Sequence, residues 1–253
     1  MDILTLFGIG FVAWLFSTLA GGGSPLILIP IINFSLGASA VAPTITVGML
    51  FGNLQRVLWF WRSIDWSLTS WYLPGAIAGA VLGSYTLTQL NLEWLQILMG
   101  IFLLVMVVAL VWRQQLQNPT PTQPWQFLPL GFLYAFVSGL IGSSGPVMNG
   151  FYLNYGLTKE TMIATKSTHV LVVHIAKILA YVSLGTLTPL HWGYGIIIGL
   201  SAIPANWIGQ YIFQKMNDQQ FRQLVLATMA VSGVVMLWQE RDVFWGMTLW
   251  LAF

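Results

Sequence analysis

Apolar runs about as long as a bilayer is thick recur along this chain, and they leave few folds open to it. A helix needs about 20 apolar residues to cross the hydrocarbon. Such runs fall at roughly 3–20, 38–61, 68–88, 94–112, 127–142, 160–184, 192–213 and 221–238. Aromatic rings with a polar edge prefer the headgroup level, and Trp59, Trp61, Trp66, Trp71, Trp94, Trp112, Trp125, Trp192 and Trp238 stand near the ends of these runs. Only 6% of the 253 residues are charged, against about 25% in a soluble domain. Lipid, not water, must therefore cover the surface. The expected fold is an all-α membrane protein with about eight transmembrane helices. The run at 3–20 is read as the first of them, because Asp2 stands where a signal peptide carries basic residues.

A polar stretch interrupts the pattern near mid-chain. Residues 114–126 read QQLQNPTPTQPWQ, with Pro119, Pro121 and Pro124, and cannot form a helix in lipid. This linker separates a first unit, 1–113, from a second, 127–239, with 240–253 left as an interfacial tail. The two units repeat each other. Leu19-Ala-Gly-Gly-Gly-Ser-Pro25 meets Leu140-Ile-Gly-Ser-Ser-Gly-Pro146 at a spacing of 121 residues (146 − 25). The same spacing joins Asn33 to Asn154, Thr44 to Thr165, Asn53 to His174 and Arg56 to Lys177. Gly83-Ser-Tyr85 meets Gly209-Gln-Tyr211 at 126 residues (209 − 83). Two homologous four-helix repeats are the expectation. Transporters built this way hold their substrate between the repeats, near the midplane.

Each repeat carries a break. Gly21, Gly22 and Gly23 cannot hold a regular helix at low cost. Ser24 suits the cap of a new helix and Pro25 its first turn. Ser143, Ser144, Gly145 and Pro146 repeat the motif. The apolar sequence after each break is too short for another crossing, so a broken or re-entrant helix is expected in each half. The amide groups at such a helix start favour an anion. The competing explanation is a packing kink, since glycines also let helices approach closely.

Charge inside the apolar runs is the second signal. Arg56, Lys166, Lys177, His169 and His174 lie within them, with no acidic residue mid-run. At ~100° per residue, Lys166 and Lys177 share one helix face. Arg56 and Lys166 lie close enough to run ends to snorkel outwards; Lys177 does not. The alternative, favoured here, is that the cations await an anionic substrate. The substrate-binding set read from the sequence is Gly22, Gly23, Ser24, Pro25, Asn53, Arg56, Ser143, Ser144, Gly145, Pro146, His174 and Lys177. His169 and His174 are the candidates for carrying a coupling proton.

These motifs resemble the sulfite exporter TauE/SafE (TSUP) family over roughly residues 8–239. The match is carried by Gly21, Gly22, Gly23, Ser24 and Pro25, and in part by Gly142, Ser144 and Pro146. The resemblance implies a permease of the bacterial type of inner membrane, multi-pass, associated with small anions such as sulfite, thiosulfate or sulfoacetate. It implies no cofactor. The mechanism expected is alternating access, with the oxyanion between the two breaks. Three other classes are weaker. An anion channel would share the cations without coupling. A metal or cation permease would want acidic, His or Met ligands mid-membrane; the ten Met are scattered and the acids peripheral, and no metal site is read here. A membrane enzyme would need a nucleophile with its base, or a ligand cluster. The chain holds no cysteine, which excludes thiolate metal sites, and no basic cluster suggests a nucleic-acid partner.

Overall fold

The computed structural model describes residues 2–86, 101, 104–105, 107–108, 111–112, 122–143, 147–157 and 159–239. The described residues form helices and turns, with no strand among them. Nine helices result: α1 Ile3–Leu19, α2 Ser24–Leu36, α3 Ala38–Phe60, α4 Trp66–Thr86, α5 Phe127–Ile141, α6 Asn149–Tyr155, α7 Lys159–Ser183, α8 Pro189–Lys215 and α9 Asp218–Gln239. Seven of the eight apolar runs coincide with one of these helices to within three residues. The run at 94–112 lies mostly outside the described residues, and the tail 240–253 lies wholly outside them. Of the linker at 114–126, only its last residues are described; they end in a single 3-10 turn, Pro124–Gln126.

By length and hydropathy, α7 and α8 can each cross a bilayer; α1 and α2 are apolar but shorter, at 17 and 13 residues. The outer faces stay apolar. Leu4, Phe34, Leu58, Leu179 and Trp207 are all mostly exposed, which water would penalise and lipid would not.

Two seams join the N-terminal and C-terminal halves: α4 packs on α5, and α1 packs on α8. Helices α3 and α7 sit between them, with α3 touching α7 and α8, and α7 touching α3 and α4. Glycines make the α4–α5 seam. A Cβ on Gly75, Gly79 or Gly83 would collide with the backbone of Leu128, Phe132 or Phe136, so the two helices touch backbone to backbone.

Contacts recur at the spacings seen in the sequence. Thr18 packs against Gly209, and its counterpart Gly139 packs against Gly83. The Arg56 guanidinium lies 3.4 Å from Ser17 Oγ, while the Lys177 ammonium lies 3.3 Å from Ser138 Oγ. Both partners of the second pair stand 121 residues beyond those of the first (138 − 17 and 177 − 56).

Candidate functional site

The first break consists of three glycines in left-handed backbone, with φ of +64°, +136° and +116° at Gly21, Gly22 and Gly23. The Gly22 N–H turns back to donate to Ser17 O at 2.8 Å. A Cβ on Gly22 would also run into the Lys166 ammonium and displace it; the left-handed backbone angle is what requires glycine there. The sequence assigned the α2 cap to Ser24, and the structure corrects this. Gly23 holds the cap position. Ser24 is already helical, and its hydroxyl donates to Met49 Sδ at 3.5 Å. A side-chain cap needs extended backbone, whereas the chain enters α2 from a left-handed turn.

The second break opens at Gly142, with φ of +92°. A Cβ there would stand 2.9 Å from Ala42 Cα of α3. Ser143 is buried. Ser144, Gly145 and Pro146 lie outside the described residues.

A cavity of about 20 Å³ lies beside the first break. Gly21, Gly22, Gly23 and Pro25 form one wall. Asn53 and Arg56 come from α3, Ser143 from the second break, and Lys166 and Ser167 from α7. Six residues of the sequence-derived set therefore meet here: Gly22, Gly23, Pro25, Asn53, Arg56 and Ser143. Ser24, His174 and Lys177 do not line it.

Lys166, singled out in the sequence as an intramembrane cation but left out of the substrate-binding set, also lines the cavity. Its ammonium does not snorkel outwards. It donates to Gly21 O at 2.6 Å and to Asn149 Oδ1 at 2.5 Å. Arg56, also open to a snorkelling reading, turns inwards too and is 5% exposed. Its guanidinium donates to Thr18 Oγ1 at 2.6 Å, to Asn206 Oδ1 at 3.2 Å and to Trp14 O at 3.4 Å, and lies over the Trp14 ring. Asn206, fully buried on α8, fixes this arrangement. Its amide accepts from Arg56 and Thr18, and donates to Gly52 O and Gln55 Oε1.

The cations thus find partners without carboxylates. Helix carboxyl ends carry roughly half a negative charge. Lys166 sits at the end of α1, through Gly21 O, while Arg56 reaches the last turn of α1 through the Ser17 and Thr18 hydroxyls. Lys177 sits at the end of α5, donating to Gly142 O at 2.5 Å, and Tyr181 donates to Gly139 O one turn along. Arg56 and Lys166 therefore lie beside the cavity with only uncharged acceptors in their hydrogen bonds. No carboxylate lines it among the described residues.

A model of the sulfite exporter TauE/SafE family matches residues 6–236. The chain belongs to that family. No curated protein and no solved structure matches it. Membership makes this a membrane protein of a family that transports sulfur compounds.

The two histidines of this TauE/SafE chain differ. His169 is fully engaged. Tyr152 Oη–H donates to Nδ1 at 2.8 Å, and Nε2–H donates to Thr69 Oγ1 at 3.1 Å. The Thr69 hydroxyl passes the sense of the chain on to Asp65 O at 2.7 Å. The ring lies flat on Tyr72, 3.9 Å away. This direction assigns the Nε2–H tautomer from the network, and the chain ends on a carbonyl with no proton to pass on. His169 therefore clamps α4, α6 and α7 together. His169→Phe should keep the stack but strand the Tyr152 hydroxyl, lowering stability by about 1–3 kcal/mol, measured by thermal unfolding in detergent. His174 is 1% exposed, and neither ring nitrogen has a partner among the described residues. Of the two, only His174 has hydrogen-bonding capacity to spare.

Proposed function

We propose that this TauE/SafE-family chain is a secondary transporter that moves a small anion by alternating access. The substrate class is a sulfur oxyanion or organosulfonate such as sulfite, thiosulfate or sulfoacetate. One observation carries the reading: two buried cations, Arg56 and Lys166, line one cavity beside a broken helix, with no carboxylate lining it among the described residues. Burying unpaired cations is costly, and such residues mark ion pathways.

The proposed architecture is two four-helix repeats, 1–113 and 127–239, joined by the linker 114–126 and crossing an inner membrane about eight times. The paired contacts at spacings of 121 and 126 residues support it. In this reading Asn53 and Arg56 serve the first half-site with Gly22, Gly23, Ser24 and Pro25. His174 and Lys177 serve the second with Ser143, Ser144, Gly145 and Pro146. His174 carries the coupling proton.

Cavity size favours a carrier over a channel. About 20 Å³ holds roughly one water. Sulfite, with three oxygens around sulfur, needs a rearrangement to enter. The test is uptake of radiolabelled sulfoacetate into proteoliposomes of the purified protein. The expected result is saturable uptake, accelerated by unlabelled sulfoacetate inside. Flux that neither saturates nor responds to the internal anion would establish a channel. Uptake of metal ions without any anion would overturn the reading.

A further inference from the structure

We propose that Lys166 is both a ligand for the transported anion and a latch that holds the two breaks together until the anion arrives. The proposal rests on the anion reading above. The Lys166 ammonium is bonded to one acceptor from each half: Gly21 O of the first break, and Asn149 Oδ1 at the start of α6, three residues beyond the second break. Lys166 thereby ties the first break to the start of α6, a different junction from the one Arg56 makes between α1 and α8. Arg56 reaches the last turns of α1 and Asn206 of α8. Lys177 stays within the second half, on α5 and Gly142.

A second, independent observation points to a missing acceptor. Asn149 is fully buried, and its Nδ2 group has no hydrogen-bond partner among the described residues. Its orientation is fixed, because a flipped amide would set N–H against ammonium. An orphaned amide donor therefore stands beside an ammonium that no carboxylate balances. A ligand oxygen carrying negative charge would satisfy both.

Both current partners of Lys166 are neutral. Hydrogen bonds from an ammonium to a charged oxygen are roughly twice as strong as neutral ones. An anion arriving in the cavity therefore competes with Gly21 O and Asn149 Oδ1, and takes Lys166 from them. The bridge between the halves then opens at the moment of binding. This also accounts for the small cavity: the space is closed because the latch is closed. At the spacing of 121 residues the counterpart of Lys166 is Ile45, fully buried on α3, so the latch belongs to the second half alone.

The absence of cysteine makes a direct test simple. Ile163, apolar and 3% exposed, lines the cavity on α7. The full-length chain carrying Ile163→Cys is reconstituted and treated with a membrane-impermeant maleimide, with and without sulfoacetate, a sulfonate that does not consume maleimide. The expected result is slow labelling alone and at least ~10-fold faster labelling with sulfoacetate, as for a ligand-shifted two-state equilibrium. Adding Asn149→Leu removes one acceptor and should give fast labelling in both conditions. Adding Asn149→Asp replaces the neutral acceptor with a carboxylate and should give slow labelling in both.

Slow labelling of the Asn149→Leu protein without anion overturns the latch, and so does anion-driven labelling of the Asn149→Asp protein. Should Asn149→Leu fail to fold, the aspartate variant carries the test alone. Fast labelling of Asn149→Leu with no response of the parent to sulfoacetate overturns the anion's part, and with it the proposed substrate. A parent that responds to sulfoacetate while both Asn149 variants behave like it leaves the substrate reading intact and overturns the latch.

Discussion

Replacing Arg56 with methionine should abolish anion transport while leaving the protein as stable as before or more so. The two effects have separate causes. In the folded chain the guanidinium is buried, and its partners are Thr18, Ser17, Trp14 O and Asn206. Thr18 and Asn206 keep other partners without it. Thr18 Oγ1–H still reaches Asn206 Oδ1, and Asn206 Nδ2 still donates to Gly52 O and Gln55 Oε1. Methionine fills much of the volume and carries no charge to desolvate, and exchanging buried charges for well-packed apolar groups is often neutral or stabilising. A bound anion, however, loses one of its two cations. Removing one partner of a buried charge pair costs about 3–5 kcal/mol, which at 1.4 kcal/mol per decade is a loss of roughly 100-fold or more. Proteoliposome uptake and thermal unfolding of the same preparation separate the effects. Unchanged uptake would remove Arg56 from the site. A sharp fall in stability would make it a structural residue. Arg56→Lys keeps the charge but not the planar fork and should fall between.

Gly79→Leu should leave little folded protein. Gly79 faces the carbonyl of Phe132 across the α4–α5 seam so closely that even a Cβ has no room. The obstacle is backbone, which cannot rotate away as a side chain can. Overpacking typically costs about 1–3 kcal/mol, occasionally more. Here the whole helix pair must separate, and the same seam relies on Gly75 and Gly83 one helical turn away on either side. The measurement is the monodisperse fraction after detergent extraction. Gly193→Leu is the control, since a Cβ there meets nothing within 4 Å, and it should behave as wild type. A well-folded Gly79→Leu protein would mean that α4 and α5 do not touch as described.

Much of this was legible in the sequence, because the features concerned are local. The length of an apolar run sets a helix, so α1, α3 and α7 fall within one residue of their expected ends. Three consecutive glycines before Ser-Pro force a break whatever packs around them. The site was legible only in part. Helical spacing placed Lys166 and Lys177 on one face, and both indeed reach carboxyl ends of broken helices. Spacing could not say that the end of α1 packs over Lys166, so a residue near its own helix start read as free to snorkel. Asn206 left no signal, since one amide in an apolar helix looks like any other until its four bonds are seen. Ser24 was misplaced because its capping role depends on the backbone angle of the preceding glycine.

The seating of Arg56 and Lys166 on uncharged acceptors has an electrical consequence. One elementary charge moved through the whole membrane field exchanges about 2.3 kcal/mol per 100 mV. Any rearrangement that shifts these two cations along the field is therefore voltage-sensitive even with the carrier empty. A dianion travelling with them cancels that sensitivity. Under the proposed alternating access, the membrane potential would then act mainly on the return of the unloaded protein, and the step that limits turnover would change with voltage.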